Sequence, residues 1–253
     1  GFPIAPQPDG YHALLGDSIG YLQRFDGMGA LIGEDGSLAA SVIQGVPGGG
    51  SVLAAVEGWP GPNVEDRVVW LGAGGERRAA VAVPGSPSIV VSSAGNVLVF
   101  AAGQARWYDR DGAPMTGWFP YDAQAIGRRP DAVALADGSV VVGLGTDRAL
   151  RFEPGAAAAA PPPGWVTSRA GARIAAVRAN RANAFATVKS APAAACEVEI
   201  EILTPAGQPC GTTRLTAPDP CERVTFGADR TVFTMAQQPA ADCVWHWWTG
   251  LLR

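Results

Sequence analysis

Histidine is almost missing from this chain of 253 residues. His12 and His246 are the only two, and lysine occurs once, as Lys189, among 19 basic side chains. Two imidazoles would have to serve every triad the chain could form, and Ser18, Ser41 and Ser190 have no identifiable base. The sequence has no G-x-S-x-G elbow, no H-E-x-x-H pair, no phosphate-binding loop and no dinucleotide fingerprint, so the common enzyme classes lack their signatures. It also has no block of like charge. With 19 basic against 23 acidic residues and a formal net charge of −4, nothing is poised to neutralise a phosphate backbone, which argues against nucleic acid as a partner. No stretch approaches the roughly 20 apolar residues that cross a bilayer as a helix, so no transmembrane segment is expected. The chain opens at Gly1 without a basic-then-apolar leader, as expected of a mature chain whose signal peptide has been removed or of an excised domain.

Cysteine is scarce and confined to the last quarter: Cys196, Cys210, Cys221 and Cys243. None forms a C-x-x-C pair, and with so little imidazole a structural zinc site is disfavoured. Disulfides are the expected use, which places the chain in an oxidising compartment, whether extracellular, cell-surface or periplasmic. Buried free thiols are the other reading, and the sequence leaves all pairings open.

What is abundant is apolar residues, at 47%, together with 33 glycines and 21 prolines, the composition of a globular chain with many turns. A repeat orders them. Short apolar runs follow a turn in "DGYHALLG" from Asp9, "GGSVLAAVEG" from Gly49, "GNVLVFAAG" from Gly95, "DGSVVVGLG" from Asp137, "ANAFATVKS" from Ala182 and "DRTVFTMAQ" from Asp229, at intervals of 40 to 47 residues. A second marker, an aromatic or apolar strand end running into a glycine, returns at Gly29, Gly75, Gly112, Gly155, Gly207 and Gly250. Each unit carries two more apolar segments, which makes four short strands per unit. Runs such as Val97 to Phe100 are apolar at consecutive positions, so both faces of those strands need cover, as in stacked sheets. Four strands in 40 to 50 residues is the spacing of propeller blades.

The units "PDGYHALLG…LQRFDGMG" and "ADGSVVVGLG…LRFEPG" resemble the repeats of bacterial NHL-like and related exported propellers. The expected fold is therefore all-β, a six-bladed β-propeller with four-stranded antiparallel blades at about 1–40, 41–84, 85–128, 129–170, 171–218 and 219–253, the last short of its fourth strand. The resemblance implies that ligands sit at one end of the channel, on loops joining the second strand to the third and one blade to the next. Here those loops are "EGWPGPNVEDR", presenting Trp59, Asn63, Glu65 and Asp66, and "PYDAQAIGRRPD", carrying Tyr121, Asp122, Arg128 and Arg129. An indole between Gly and Pro can stack on a sugar, anchor a protein partner or fold back over the blade edge. Arg128 and Arg129 could clamp a carboxylate or simply line a solvated turn.

The pair Asp109 and Asp111 in "WYDRDG" has the opening acids of a calcium loop, but the distal ligands are missing and the same position is a turn in the other units. A hairpin tip is expected there, with calcium as the minor alternative and no other metal or cofactor. "CVWHWWTG" is read as core packing around His246. In the blade frame Cys196 and Cys243 fall in second-to-third strand loops and Cys210 at the other end. The functional expectation is a non-catalytic exported module that binds another protein or joins a surface assembly. A glycan-binding propeller is the alternative, and a carboxylate-dependent hydrolase or lyase is less favoured.

Overall fold

A computed structural model describes residues 4–16, 19–121, 131–143, 149–157 and 159–160, and then residues 173–179, 185–190, 196–203, 209–217, 223–226, 232–237 and 243–248. Asp122, Arg128, Arg129 and Cys221 lie outside the described residues. Every described element is a β-strand. Strands β1 (Ile4–Gln7), β2 (Gly10–Leu15), β3 (Gly20–Asp26), β4 (Leu31–Gly45), β5 (Ser51–Glu57), β6 (Glu65–Leu71) and β7 (Arg77–Ala82) form one antiparallel sheet in chain order. Next come β8 (Ser88–Val91), β9 (Val97–Ala101), β10 (Gln104–Tyr108) and β11 (Phe119–Pro120), which make a four-stranded sheet. Two more four-stranded sheets follow: β12 (Asp131–Ala134) to β15 (Ala159–Ala160) through β13 (Val140–Gly143) and β14 (Ala149–Phe152), then β16 (Arg173–Ala179), β17 (Phe185–Ser190), β18 (Cys196–Leu203) and β19 (Pro209–Ala217). The last described sheet has three strands, β20 (Arg223–Phe226), β21 (Val232–Gln237) and β22 (Cys243–Trp248).

The seven-stranded sheet covers two sequence units because β4 serves both. Its first half pairs with β3, from Phe25↔Leu31 to Gly20↔Ala40, and its second half pairs with β5, from Ala40↔Ala55 to Gly45↔Ser51. Register shifts in both ladders let one strand of 15 residues leave one pairing and enter the next. The expected boundary between the first two blades, at residues 40 and 41, falls inside this strand.

The chain falls into two compact units, one holding β1 to β11 and the other β12 to β22. In the first unit, alternation along each strand feeds two separate cores. Leu53 and Ala55 of β5 pack with Leu14, Leu22 and Ile43, while Val52 and Ala54 point the other way, into a core with Trp70, Val97, Val99 and Tyr108. All five residues of β9 are buried, which accounts for its unbroken apolar run. The second unit has its own cluster, with Leu135, Val141, Ala149 and Val177 at its centre.

The turns repeat one hydrogen-bond pattern. In five hairpins a residue donates its N–H to the carbonyl four positions on and accepts from the N–H three positions on: Asp26 with Ala30 and Gly29, Val46 with Gly50 and Gly49, Gly72 with Glu76 and Gly75, Ser92 with Asn96 and Gly95, Asp109 with Ala113 and Gly112. The fourth position is glycine every time, with φ between 84° and 107°. This is a tight turn closed by a left-handed residue, a conformation in which glycine has no Cβ to clash.

Neighbouring strands of the first unit are also tied by glutamines. Gln7 Nε2 donates to Ser51 Oγ at 2.9 Å and to the Gly50 carbonyl at 3.0 Å, and its Oε1 accepts from Gly50 N–H at 2.6 Å. Gln44 does the same one unit later, with Ile89 O at 2.9 Å and Val91 N–H at 2.7 Å.

Candidate functional site

The loop between β5 and β6 is shorter than the sequence implies. The ladder zips as far as Glu57↔Glu65, so Glu65 and Asp66 belong to β6 and only residues 58–64 form the loop. The reading of Glu65 as a loop residue is thereby corrected. Glu57 and Glu65 stand directly opposite each other, a like-charge arrangement that costs stability unless compensated. Arg67 compensates it: its Nε lies 2.7 Å from Glu57 and its Nη2 lies 2.6 Å from Glu65, and Arg77 adds a contact to Glu57 at 2.6 Å. The hydrogen bond that Arg67 donates to Glu65 raises the Arg67 pKa above its ordinary range, so the guanidinium stays charged at the foot of the loop.

Above this ion-paired base the loop turns tightly. Gly61 N–H donates to the Gly58 carbonyl at 2.6 Å, and Gly58 has φ of 81° where a Cβ would collide with the Asn63 carbonyl. The Trp59–Pro60 peptide is cis. Trp59 and Val64 are each 47% exposed, and Asn63 is exposed between them. An indole and an isopropyl group thus project from one braced loop.

Tyr121 is held differently. Its ring meets Phe100 edge-on, with centroids 5.1 Å apart at 83°, and its N–H donates to the Gly103 carbonyl at 3.3 Å. Burial raises its phenol pKa. Among the described residues no hydrogen bond or ring contact joins Tyr121 to Trp59, so the two sequence-derived candidates stand as separate features.

Asp109 sits at the first position of a hairpin turn. Its Oδ1 accepts from the amides of Asp111 at 3.0 Å and Ala113 at 2.8 Å. Asp26 makes the same pair of bonds, to Met28 at 2.9 Å and Ala30 at 2.8 Å, without a second acid in its turn. The carboxylate caps backbone donors, which is the ordinary use of Asp in a turn. Asp111 is exposed on the same tip, and no group of three His, Cys, Asp or Glu residues with metal-holding geometry occurs among the described residues.

Cys196 and Cys243 are the first residues of β18 and β22, not members of the preceding loops, which corrects that placement. Cys196 pairs with Ala217, whereas Cys210 lies next to Pro209 at the far end of the same ladder. At about 3.3 Å per residue the two ends are some 20 Å apart, far beyond the roughly 7 Å limit for a disulfide. Cys196 and Cys210 therefore do not pair.

The histidine that the sequence left without a role is buried at 2% exposure in β2. His12 Nε2 lies 3.1 Å from the Ala73 carbonyl and Nδ1 lies 2.8 Å from Ser51 Oγ. A carbonyl only accepts, so Nε2 carries the proton, and the Ser51 hydroxyl donates to Nδ1 while accepting from Gln7. Burial lowers the His12 pKa, the Ala73 bond opposing it. Serine beside histidine is the geometry of an activated nucleophile. This serine is 0% exposed and enclosed by its partners, so the pair ties β1 and β2 to β5 and to the turn after β6. Its members are separated by 39 and 61 residues, and no local pattern in the sequence could have joined them. Beside it opens a cleft of about 210 Å³ lined by Gln7, Asp9, Arg24, Ile32 and Gly74 among others.

No family model and no curated protein matches the sequence. Solved structures do match the fold. A putative 6-phosphogluconolactonase from Bacteroides fragilis superposes with a TM-score of 0.59 at 11% identity, over 91% of this chain and 75% of that one. YCF48 from Cyanidioschyzon merolae gives 0.55 at 11% identity, over 90% and 76%. BBS1N, solved in complex with ARL6DN, gives 0.53 at 14% identity, over 89% and 71%. These are propeller-type structures, and this chain shares with them its serial antiparallel sheets. The fold is a β-propeller. At such identities the likeness carries the fold of the propeller and nothing of its chemistry.

Proposed function

We propose that the chain is a non-catalytic, exported six-bladed propeller that binds another protein, as a free module or as a subunit of a surface assembly, through the loop of residues 58–64. The observation that carries this reading is the half-exposed indole of Trp59, beside exposed Val64, on a loop braced by the Glu57, Glu65, Arg67 and Arg77 ion pairs. Rigid aromatic anchors lose little conformational freedom on binding and dominate interface energetics. A structural neighbour solved as a complex with a second protein supports the same reading. The connection that begins at Tyr121 and carries Asp122, Arg128 and Arg129 is a second contact region in this proposal.

The test uses a photo-crosslinking residue in place of Val64, with the tagged chain exposed to extract from its native source. A single specific adduct is expected, reduced at least about tenfold by Trp59→Ala, because truncating a central aromatic anchor typically costs 2 kcal/mol or more of binding. The same substitution leaves folding stability within about 0.5 kcal/mol, since Trp59 is not a core residue. Absence of any Trp59-dependent adduct, together with glycan-array binding that Trp59→Ala abolishes, would replace this reading with carbohydrate recognition. Turnover of a lactone or glycoside panel would remove the non-catalytic part.

A further inference from the structure

The cleft beside the β1–β2 turn holds two opposite charges that no described residue answers. Asp9 and Arg24 both line it, and neither forms an ion pair with the other or with any other described residue. Arg24 is fixed in place. One Nη donates to the Gly74 carbonyl, and the side chain lies between Gly33 and Gly75, where a Cβ at either position would collide with it. His12 holds the carbonyl of the adjacent Ala73, so two side chains from β2 and β3 pin the same turn and keep the cleft wall still. The guanidinium has five N–H donors in a planar fork, and the Gly74 carbonyl occupies only part of them. Ile32, 61% exposed, supplies an apolar wall.

A simple anion would meet Arg24 but be repelled by Asp9, and a simple cation would meet the reverse. A molecule carrying both charges a few bonds apart satisfies both. We propose that this cleft binds a small zwitterion, a free α-amino acid with an apolar side chain, its carboxylate on Arg24, its ammonium on Asp9 and its side chain against Ile32. A cleft of about 210 Å³ suits one amino acid and not a folded partner. The site lies at the opposite end of β6 from the Trp59 loop, because Glu65 opens that strand and Gly74 follows its last residue, Leu71. It is therefore independent of the proposed docking loop.

Calorimetric titration of the whole chain with L-leucine, N-acetyl-L-leucine and L-leucine amide tests the proposal. Leucine is expected to bind, with each blocked form at least tenfold weaker. Asp9→Asn should erase the preference over N-acetyl-leucine, and Arg24→Gln should erase the preference over leucine amide, while Trp59→Ala leaves leucine binding unchanged. Near-ultraviolet circular dichroism checks that each variant keeps its packing. If Arg24→Gln does not fold, Asp9→Asn at its exposed turn decides the matter alone. No leucine binding at millimolar concentration, equal binding of the blocked forms, or a preference for unblocked leucine that survives Asp9→Asn would overturn it.

Discussion

His12 concentrates the physical chemistry of single residues in this chain. Its ring is buried and neutral, with Nε2–H committed to Ala73 and Nδ1 accepting from Ser51, so protonation would put two donors where one partner must also donate. Burial places its folded pKa below the ordinary 6.5. The unfolded chain therefore binds a proton at this site more readily than the folded one, and stability falls as protons are added. The contribution is complete above about pH 6.5 and is lost as the pH falls toward and through the folded pKa. Urea-unfolding free energies measured from pH 8 down to about pH 5 should decline more steeply for the wild type than for His12→Gln. Parallel curves would mean that the imidazole does not titrate on unfolding. Carboxylates common to both proteins cancel in this comparison.

The hairpin is the element that the sequence exposes most directly. Gly29, Gly75 and Gly112, read from their spacing as turn residues, all have positive φ and close turns with one hydrogen-bond pattern. Their local chemistry suffices, because glycine alone adopts that backbone without cost. Gly112 adds a packing reason: at φ of 89°, a Cβ would lie 2.8 Å from Ala79 Cβ and 3.2 Å from the Trp70 ring. Gly112→Ala should cost about 1–3 kcal/mol in denaturant unfolding, from strained backbone plus a forced shift against Ala79 and the Trp70 ring. Gly85→Ala is the control, since Gly85 has φ of 71° but open space around its Cβ position, and it should cost only the backbone part. Equal losses would show that the crowding by Ala79 and Trp70 does not matter. Strand limits were less legible than turns. Glu65 reads as loop because it is charged and follows Gly, Pro and Asn, yet Arg67 neutralises it and lets the ladder continue. The 15-residue β4 runs through the expected boundary between the first two units at residues 40 and 41, with Gly33 and Asp35 pairing with β3 and the residues from Ala40 onward pairing with β5.

At the scale of the whole molecule, the repeat carried the fold because it is a long-range property written many times over. Six units of similar spacing gave an all-β architecture of serial four-stranded sheets, and the described sheets of seven, four, four, four and three strands with propeller-type neighbours agree with that fold class. The candidate sites were far less legible. Trp59 stood out because an indole flanked by Gly and Pro is hard to bury, and it is half-exposed. Arg24 and Asp9 did not, since the cleft between them exists only once Gly74, from a turn some fifty positions away, folds beside Arg24. In the proposed architecture the first two blades share β4, each of the next three sheets is one blade, and β20 to β22 belong to the sixth. Crystallographic density that traces every strand is the most direct measurement of this claim. The account predicts six blades about a single axis, with the loop bearing Trp59 exposed to solvent. Two facing sheets, or any other number of blades about the axis, would contradict it.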